Sequence, residues 1–363
     1  MKLPEALLRI HLPKSIAGRI ALGVPALAGL IALFLWRGPS VTAIGDAFAS
    51  VEWQWVVVSI ALNLLSVLAR AAAWTIVIRS ALRPPYPAPP LVFSAFSVGL
   101  FANAVLPGRI GELARVAVLT RKMPERKGAW PTLVGTVFAH RVFDVVPVVL
   151  LVLYVVATAN IPTSARATLI VAICIGIGLF AFAFVSARRP HETFVHEGAT
   201  RIKRLVAMAR QGLGVMRSPL GAAGAIFFQT VGWICQLFAV WTAMRAFDIH
   251  APLPAAGVVL LLMNVVTIFP FWPGNVGLVQ VAIASALAGY GVAYGRGIAY
   301  GFGLQAIEAS VGIGVGLLFL AREGLSMAML RVMPNASQAE AGDDDDSEET
   351  EPDAAAASAR VSG

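Results

Sequence analysis

Long apolar runs are the feature that most constrains this fold. Six segments are long and apolar enough to cross the hydrocarbon core of a bilayer, which takes about 20 residues of helix: 18–36, 54–78, 130–156, 167–187, 220–245 and 298–320. A spanning segment in lipid must satisfy its own backbone hydrogen bonds, so each run is expected to be helical. Only 13% of the 363 residues are charged, about half the fraction usual in soluble domains. The sequence therefore predicts an all-α integral membrane protein.

Two further apolar segments, 91–119 and 254–289, are each interrupted near the middle by a Pro-Gly pair. Proline lacks the N–H that a helix interior needs, so a helix is expected to stop there. If both segments enter and leave on one side, every Lys/Arg cluster faces the cytoplasm, as the positive-inside rule favours. We therefore expect about six full transmembrane helices and two re-entrant hairpins in the cytoplasmic membrane, with both termini cytoplasmic.

The two Pro-Gly breaks belong to an internal repeat. PGRIG at 107–111 and PGNVG at 273–277 are 166 residues apart, and the spans before them start near 54 and 220. Repeat one covers about 18–156 and repeat two about 167–321, and they begin on opposite sides of the membrane. Such inverted repeats are typical of transporters whose binding sites lie at broken helices near the midplane. The hairpin turns are predicted at Pro107, Gly108, Gly111, Pro273, Gly274, Asn275 and Gly277.

The charge balance divides the chain into a basic membrane domain, 1–333, and an acidic tail, 334–363. Nine of the twenty acidic residues follow Pro334, against one of the twenty-eight basic residues. The tail has almost nothing apolar to bury, which predicts a disordered cytoplasmic segment. The basic surplus suits cytoplasmic loops and anionic lipid headgroups. No basic stretch is interleaved with exposed aromatic residues, so no nucleic-acid partner is expected.

Several charged side chains lie inside the apolar segments. A charge at the centre of a lipid-facing helix costs at least about 2.5–3.5 kcal/mol, so each one needs a partner, a cavity or a ligand. Four arginines face only three carboxylates, so pairing alone does not neutralise the set. The charged residues are Arg70, Arg109, Glu112, Arg115, Arg141, Asp144 and Glu308.

Their spacing predicts a site for a phosphate-bearing headgroup. Glu112 and Arg115 share one helix face, as do His140 and Asp144. Arg109 precedes a half-helix whose free N–H groups favour an anion, and arginine forks suit phosphate oxygens. The predicted headgroup-binding residues are Arg70, Asn103, Arg109, Glu112, Arg115, Arg141 and Asp144, with His140, Gln280 and Glu308 in secondary positions.

Structural roles are the alternative for each of these residues. Arg141 and Asp144 would form a structural ion pair, Arg70 would bond helix carbonyls, and Arg115 would extend to the cytoplasmic interface. Asn103 and Asn275 would satisfy backbone groups freed by the breaks. No HExxH motif or Cys/His cluster is present, so no metal ligand, cofactor or catalytic residue is predicted.

Four motifs give the chain a family resemblance over residues 18–322. They are an Arg and a Trp in the second span (Arg70, Trp74), N-x-x-x-P-x-R-x-G-E-x-x-R (Asn103 to Arg115), R-x-x-D (Arg141, Asp144) and P-x-x-P-G-x-x-G (Pro270 to Gly277). The chain resembles the membrane domain of the lysylphosphatidylglycerol synthases, also called flippase-like membrane proteins. The resemblance implies movement of an anionic or modified lipid between leaflets, or a supporting role with lipid-linked sugars.

Three positions depart from the family's usual pattern. His140 and Gln280 stand where members usually have glutamate, and near Gln305, where an arginine is common, only Glu308 is charged. The resemblance therefore implies lipid binding more strongly than any proton- or cation-linked step. The synthases also carry a soluble transferase domain, and since an acidic tail occupies the end of this chain, synthase activity is not expected.

The leading prediction is a lipid translocator, with an anionic phospholipid or a lipid-linked sugar phosphate as its partner. Two alternatives remain open at this point: a polyprenyl-phosphate sugar transfer enzyme or its accessory, and a secondary transporter of a small anion. An enzyme would need a base, for which His140 beside Asp144 is the best pair. The sequence leaves the lipid, the energy source and homo-oligomer formation open.

Overall fold

The computed structural model describes residues 41–105, 110–123, 129–159, 218–267 and 275–322, with scattered residues between 167 and 185. These residues form helices and turns, and no strand occurs among them. In chain order the helices are α1 Val41–Ala49, α2 Trp53–Ala81, α3 Pro89–Val105, α4 Gly111–Lys122, α5 Ala129–Thr158, α6 Pro219–Ala246, α7 Leu253–Val266, α8 Leu278–Ala288 and α9 Tyr294–Arg322.

Four of these helices, α2, α5, α6 and α9, are long and apolar enough to cross a membrane. Shorter apolar helices are α3, α7, α8 and Leu169–Gly178. The described part of the chain is therefore all-helical, and its several apolar helices indicate a multi-pass membrane protein, while the number of full spans stays a prediction. Span 18–36, the tail 334–363, and Pro107, Gly108, Arg109, Pro273 and Gly274 lie outside the described residues, and span 167–187 is described only in part.

Helices α2 and α6 form the central packed pair. Ser66 Oγ donates to Gly232 O at 2.8 Å, and Ser59 Oγ donates to Ala239 O at 2.8 Å. The earlier residue on α2, Ser59, thus meets the later residue on α6, Ala239, so the two helices run antiparallel. Glycine at 232 permits the close approach, because a Cβ there would lie 2.9 Å from Arg70 Cγ. Small residues allow this backbone contact in membrane helices generally.

The helix bounds follow the repeat spacing read from the sequence. Helices α2, α4 and α5 begin at residues 53, 111 and 129, and α6, α8 and α9 begin at 219, 278 and 294. Each of the second three helices begins 166 residues after its counterpart among the first three, to within about one residue. Ser66 and Gly232, which touch where α2 crosses α6, are themselves 166 residues apart. These correspondences support the inverted repeat, which remains a prediction.

Helices α3 and α4 fold back on one another across the first break. Asn103 Oδ1 accepts from Gly111 N at 2.8 Å, and a Cβ on Gly99 would lie 3.1 Å from Arg115 Cβ. With 12 residues, α4 is only about 18 Å long, well short of a ~30 Å hydrocarbon core. An antiparallel helix pair of this length supports the interpretation of this segment as a re-entrant hairpin, which also stays a prediction.

The second break is held by amide side chains. Asn275 has a left-handed backbone at φ 45°, and Gly277 has φ 94°. Asn275 Nδ2 donates to Val266 O at 2.8 Å, which satisfies a carbonyl at the end of α7. Gly277 N donates to Gln280 Oε1 at 2.6 Å at the start of α8. Asn275 therefore satisfies a backbone group at the break, the role that its structural alternative assigned to it.

Two apolar clusters of buried residues flank the α2–α6 pair. One centres on the first hairpin and includes Trp74, Phe96 and Leu133. The other centres on the second hairpin and includes Met244 and Tyr300. The intramembrane charges lie along the edges of these clusters on α2, α4, α5 and α9, and the hairpins position them.

The contact between Gly99 and α4 predicts the effect of a single methyl group. In Gly99→Ala the new Cβ would lie 2.8 Å from Gly111 O, so α3 and α4 must separate, at a cost of about 1–3 kcal/mol. Thermal unfolding in mild detergent should show a lower midpoint. In the control Gly314→Ala, nothing lies within 4 Å of the new Cβ, and the midpoint should stay level or rise. Equal midpoints for the two variants would contradict close packing at Gly99.

Candidate functional site

The structure brings most of the predicted charged residues together on α2, α4 and α5, next to α6. The predicted charged residues within the described part of the chain are Arg70, Arg115, Arg141, Glu112, Asp144 and Glu308. Arg109 precedes the described part of α4. The cluster is connected by hydrogen bonds, ion pairs and ring contacts rather than by one central ligand group.

Glu112 links the first hairpin to α5. Its Oε2 lies 2.5 Å from Arg115 Nη2, one turn further along α4. Its Oε1 pairs with Nη2 of Arg141, which comes from α5. One carboxylate thus holds two guanidinium groups from different helices. An interhelical pair of this kind fixes where the short α4 sits beside the long α5.

Asp144 continues the network from α5 to α6. Its Oδ2 accepts from Arg141 Nη1 at 3.2 Å. Its Oδ1 accepts from Trp233 Nε1 at 2.9 Å and also from Gln229 Nε2. The ion pair given above as the structural alternative for Arg141 and Asp144 therefore forms, and α6 supplies two further donors to the carboxylate.

Gln229 and Trp233 are site residues that the sequence analysis missed. They stand four positions apart on α6, so they share one helix face. A glutamine within an apolar span was the available signal, since a buried amide needs a polar partner. What the sequence does not contain is the identity of that partner, because Asp144 lies 85 positions away along the chain.

Arg115 is buried between aromatic rings. Its side chain is 4% exposed, and its guanidinium carbon lies 4.5 Å from the Trp74 ring centroid and 5.3 Å from that of Phe96. Thr136 Oγ1 accepts from Trp74 Nε1 at 3.1 Å, which fixes the indole. Arg115 therefore packs inside the protein, and the alternative in which it extends to the interface is not what the structure has.

Hydrogen-bonding capacity on Arg115 remains unused. Its Nε is buried and has no hydrogen-bond partner among the described residues. Its Nη2 is taken up by the close ion pair with Glu112. Buried polar atoms nearly always have partners, so an unsatisfied buried guanidinium calls for an explanation.

Arg70 occupies a similar position on the α2–α6 pair. Its guanidinium carbon lies 5.0 Å from the Trp233 ring centroid, a distance suited to a cation–π contact. Its Nε is buried and has no hydrogen-bond partner among the described residues. It forms no ion pair there either, so the second arginine of the cluster also keeps capacity for a ligand.

His140 is buried against Phe96, with ring centroids 5.9 Å apart. Its Nδ1 has no hydrogen-bond partner among the described residues. Although His140 and Asp144 share a helix face, no hydrogen bond or ion pair joins these two side chains in the described structure. The acid–base pair that an enzyme would need is therefore not assembled in this structure.

Amide side chains form the polar contacts of the second half. Gln236 Nε2 donates to Glu308 Oε1 at 2.9 Å, and Gln280 Nε2 donates to Gln305 Oε1 at 2.6 Å. Gln305 and Glu308 are one turn apart on α9. The secondary residues Gln280 and Glu308 thus belong to neighbouring interhelical contacts, and His140 stands apart from them.

The start of α4 is less open to an anion than the sequence suggested. The Gly111 N–H already donates to Asn103, so this amide of the helix terminus is occupied. Asn103 thereby takes the backbone-satisfying role that was its structural alternative.

Among the described residues, no group of three or more His, Cys, Asp and Glu side chains is placed to hold a metal ion.

Asp144 offers a test of the network. Asp144→Asn removes a buried carboxylate that accepts from three side chains, and breaking such a pair costs about 3–5 kcal/mol. The unfolding midpoint in detergent should fall clearly. The control Asp248→Asn removes the half-exposed partner of Arg296, an ion pair worth at most about 1 kcal/mol. A midpoint for Asp144→Asn as high as that of the control would show that the network contributes little.

Comparison with known proteins places this site in a family. A family model described as the lysylphosphatidylglycerol synthase TM region matches residues 16–316. No curated protein and no solved structure matches the chain. The matched range includes α1 to α8, most of α9 and every predicted headgroup-binding residue. The chain therefore belongs to the family of lysylphosphatidylglycerol synthase transmembrane regions.

Proposed function

We propose that this protein moves an anionic or modified lipid between the leaflets of the cytoplasmic membrane. The family relates the chain to lipid handling in the membrane. The observation that carries the finer proposal is Arg115, a buried guanidinium whose Nε has no hydrogen-bond partner among the described residues and whose Nη2 meets only the carboxylate of Glu112 there. The lipid's phosphate would supply the missing acceptors.

The chemistry of the unsatisfied groups favours phosphate. A guanidinium presents its N–H groups as a planar fork that matches two phosphate oxygens. Arg115 lies against Trp74, and Arg70 lies against Trp233. A ring that lies over a guanidinium accepts no in-plane N–H bond, so these contacts leave the Nε donors of both arginines without an acceptor among the described residues. Aromatic contact also holds the two groups in place, so little entropy is lost when a ligand binds.

The carboxylates have a supporting role in this proposal. Glu112 and Asp144 hold Arg115 and Arg141 through ion pairs, so the arginines remain in apolar surroundings without a ligand. Arg109, just before α4, is proposed to add a further cation at the turn. Pairing of this kind keeps the empty site stable while it leaves donors on Arg115 and Arg70 for the headgroup.

Access from the side distinguishes a lipid from a soluble anion. The Arg141 side chain is 52% exposed, and Phe138, one turn earlier on α5, is also exposed. An arginine beside an exposed apolar helix face suits a headgroup that enters laterally while its acyl chains remain in the bilayer. This observation favours the lipid translocator over a transporter with a sealed central cavity.

Native mass spectrometry of protein purified in mild detergent tests the headgroup site. Wild-type protein should retain an anionic lipid, and Arg115→Gln should lose most of it, because the fork and its charge are gone. The control is Arg245→Gln, which removes an arginine that also stacks on a tryptophan, 4.8 Å from the Trp241 ring centroid, at the end of α6. That variant should retain the lipid. The same lipids in all three proteins would contradict the site.

A vesicle assay then tests movement. Wild type and both variants are reconstituted with a fluorescent phosphatidylglycerol, and bleaching of the outer leaflet measures exchange between leaflets. Exchange should be fast with wild type and Arg245→Gln and should fall to the protein-free rate with Arg115→Gln. Uptake of free phosphate with no lipid exchange would instead favour the small-anion transporter.

A further inference from the structure

Among the described residues, Glu308 is the intramembrane carboxylate that forms no ion pair with an arginine. It lies near the middle of the 29-residue α9. Its contact is with a neutral amide, since Gln236 Nε2 donates to Oε1 at 2.9 Å. Glu112 and Asp144, by contrast, are both paired with arginines. A carboxylate in hydrocarbon without a cation is costly, and such residues mark ion or proton pathways.

The surroundings of Glu308 contain one facing cation. Helices α1, α2, α3, α6 and α8 pack on α9. Arg70 on α2 acts electrostatically on Glu308. Glu308 in turn acts electrostatically on Tyr300 of its own helix. Gln236 is the neutral contact from α6. Helices α3 and α8 contain no titratable residue, and α1 contains only the exposed Asp46.

Helix α6 connects Glu308 to the headgroup site. Trp233 and Gln236 lie one turn apart on α6. Trp233 donates to Asp144 and stacks with Arg70, while Gln236 donates to Glu308. Arg70, which lies over the Trp233 ring, is therefore one turn of α6 away from the contact between Gln236 and Glu308, and it acts electrostatically on both Asp144 and Glu308. Asp144 accepts from three side chains, whereas the side-chain donor to Glu308 among the described residues is the neutral amide of Gln236.

A bound headgroup changes that balance. When a phosphate engages Arg70, it claims the cation and brings a negative charge towards Glu308. The carboxylate then gains by accepting a proton and becoming a neutral acid. Linkage is reciprocal, so protonation of Glu308 also frees Arg70 to bind the anion more tightly.

We propose that Glu308 binds the coupling proton of this transporter, taking up one proton when the anionic headgroup occupies the arginines and releasing it when the lipid leaves. Lipid and proton then move together, and a proton gradient drives the lipid. The step is protonation of a carboxylate, and no covalent bond of the lipid changes. This inference rests on the proposed lipid translocation. The departures from the family pattern favoured lipid binding over an ion-linked step, whereas the environment of Glu308 favours such a step.

Infrared difference spectroscopy tests proton binding independently of transport. Protein in nanodiscs of phosphatidylcholine and phosphatidylglycerol is compared as the pH is lowered. Wild type should show the C=O band of a protonated carboxyl group that is absent in Glu308→Gln. The matched control is Glu52→Gln, because exposed Glu52 also accepts from a glutamine, Gln54 Nε2, at 2.9 Å. That variant should keep the band.

A second variant identifies the band if Glu308→Gln fails to fold. Gln236→Met keeps the side-chain size but removes the hydrogen bond to Glu308, so the band should shift in frequency. No change in either variant would overturn the assignment to Glu308.

Coupling is measured in vesicles that contain an entrapped pH indicator and a fluorescent phosphatidylglycerol. A pH gradient should accelerate wild-type lipid movement several-fold, and protons should move with the lipid. Glu308→Gln should move lipid at a rate that the gradient does not alter, and Glu52→Gln should behave as wild type. If the pH gradient changes lipid movement equally in all three proteins, proton coupling at Glu308 is wrong, whereas the proposed lipid translocation is not contradicted. If wild type moves no lipid at all, the proposed function fails, whatever the infrared result.

Discussion

The ionic chain from Arg115 through Glu112 and Arg141 to Asp144 is the interaction on which the arrangement of this membrane domain depends. It joins the short helix α4 to α5 and, through Gln229 and Trp233, to α6. A half-helix of 12 residues cannot anchor itself in lipid by apolar surface alone. The interhelical ion pair between Glu112 and Arg141 supplies a directional contact that apolar side chains in hydrocarbon lack.

Close helix contact at glycine provides the geometry that this chain needs. Gly232 lets α2 and α6 approach until Ser66 bonds its carbonyl, and the same approach brings Arg70 onto Trp233. Gly99 and Gly111 do the same for the two arms of the first hairpin. Where the backbones are close, the long arginine side chains extend along aromatic rings instead of into lipid.

The two halves of the domain share spacing but differ in charge. At the repeat offset, Arg70 corresponds to Gln236, Glu112 to Leu278 and Arg115 to Val281. At these positions the first half holds charged residues, where the second half holds an amide and apolar residues. The arginines of the proposed headgroup site therefore belong to the first half of the domain.

Sequence alone determined the helical class, the family and the set of intramembrane charges, because hydrocarbon permits few backbones and makes each buried charge conspicuous. The Arg141–Asp144 ion pair was the structural alternative for these two residues, and it forms. Helix spacing did not give the contacts between distant segments: Gln229 and Trp233 on Asp144, Trp74 and Phe96 on Arg115, and Gln236 on Glu308. It also assigned the Gly111 amide to an anion, although Asn103 occupies it. Only the tertiary structure decided which arginines keep free donors, because that depends on how residues far apart in the chain share hydrogen bonds once the helices are packed.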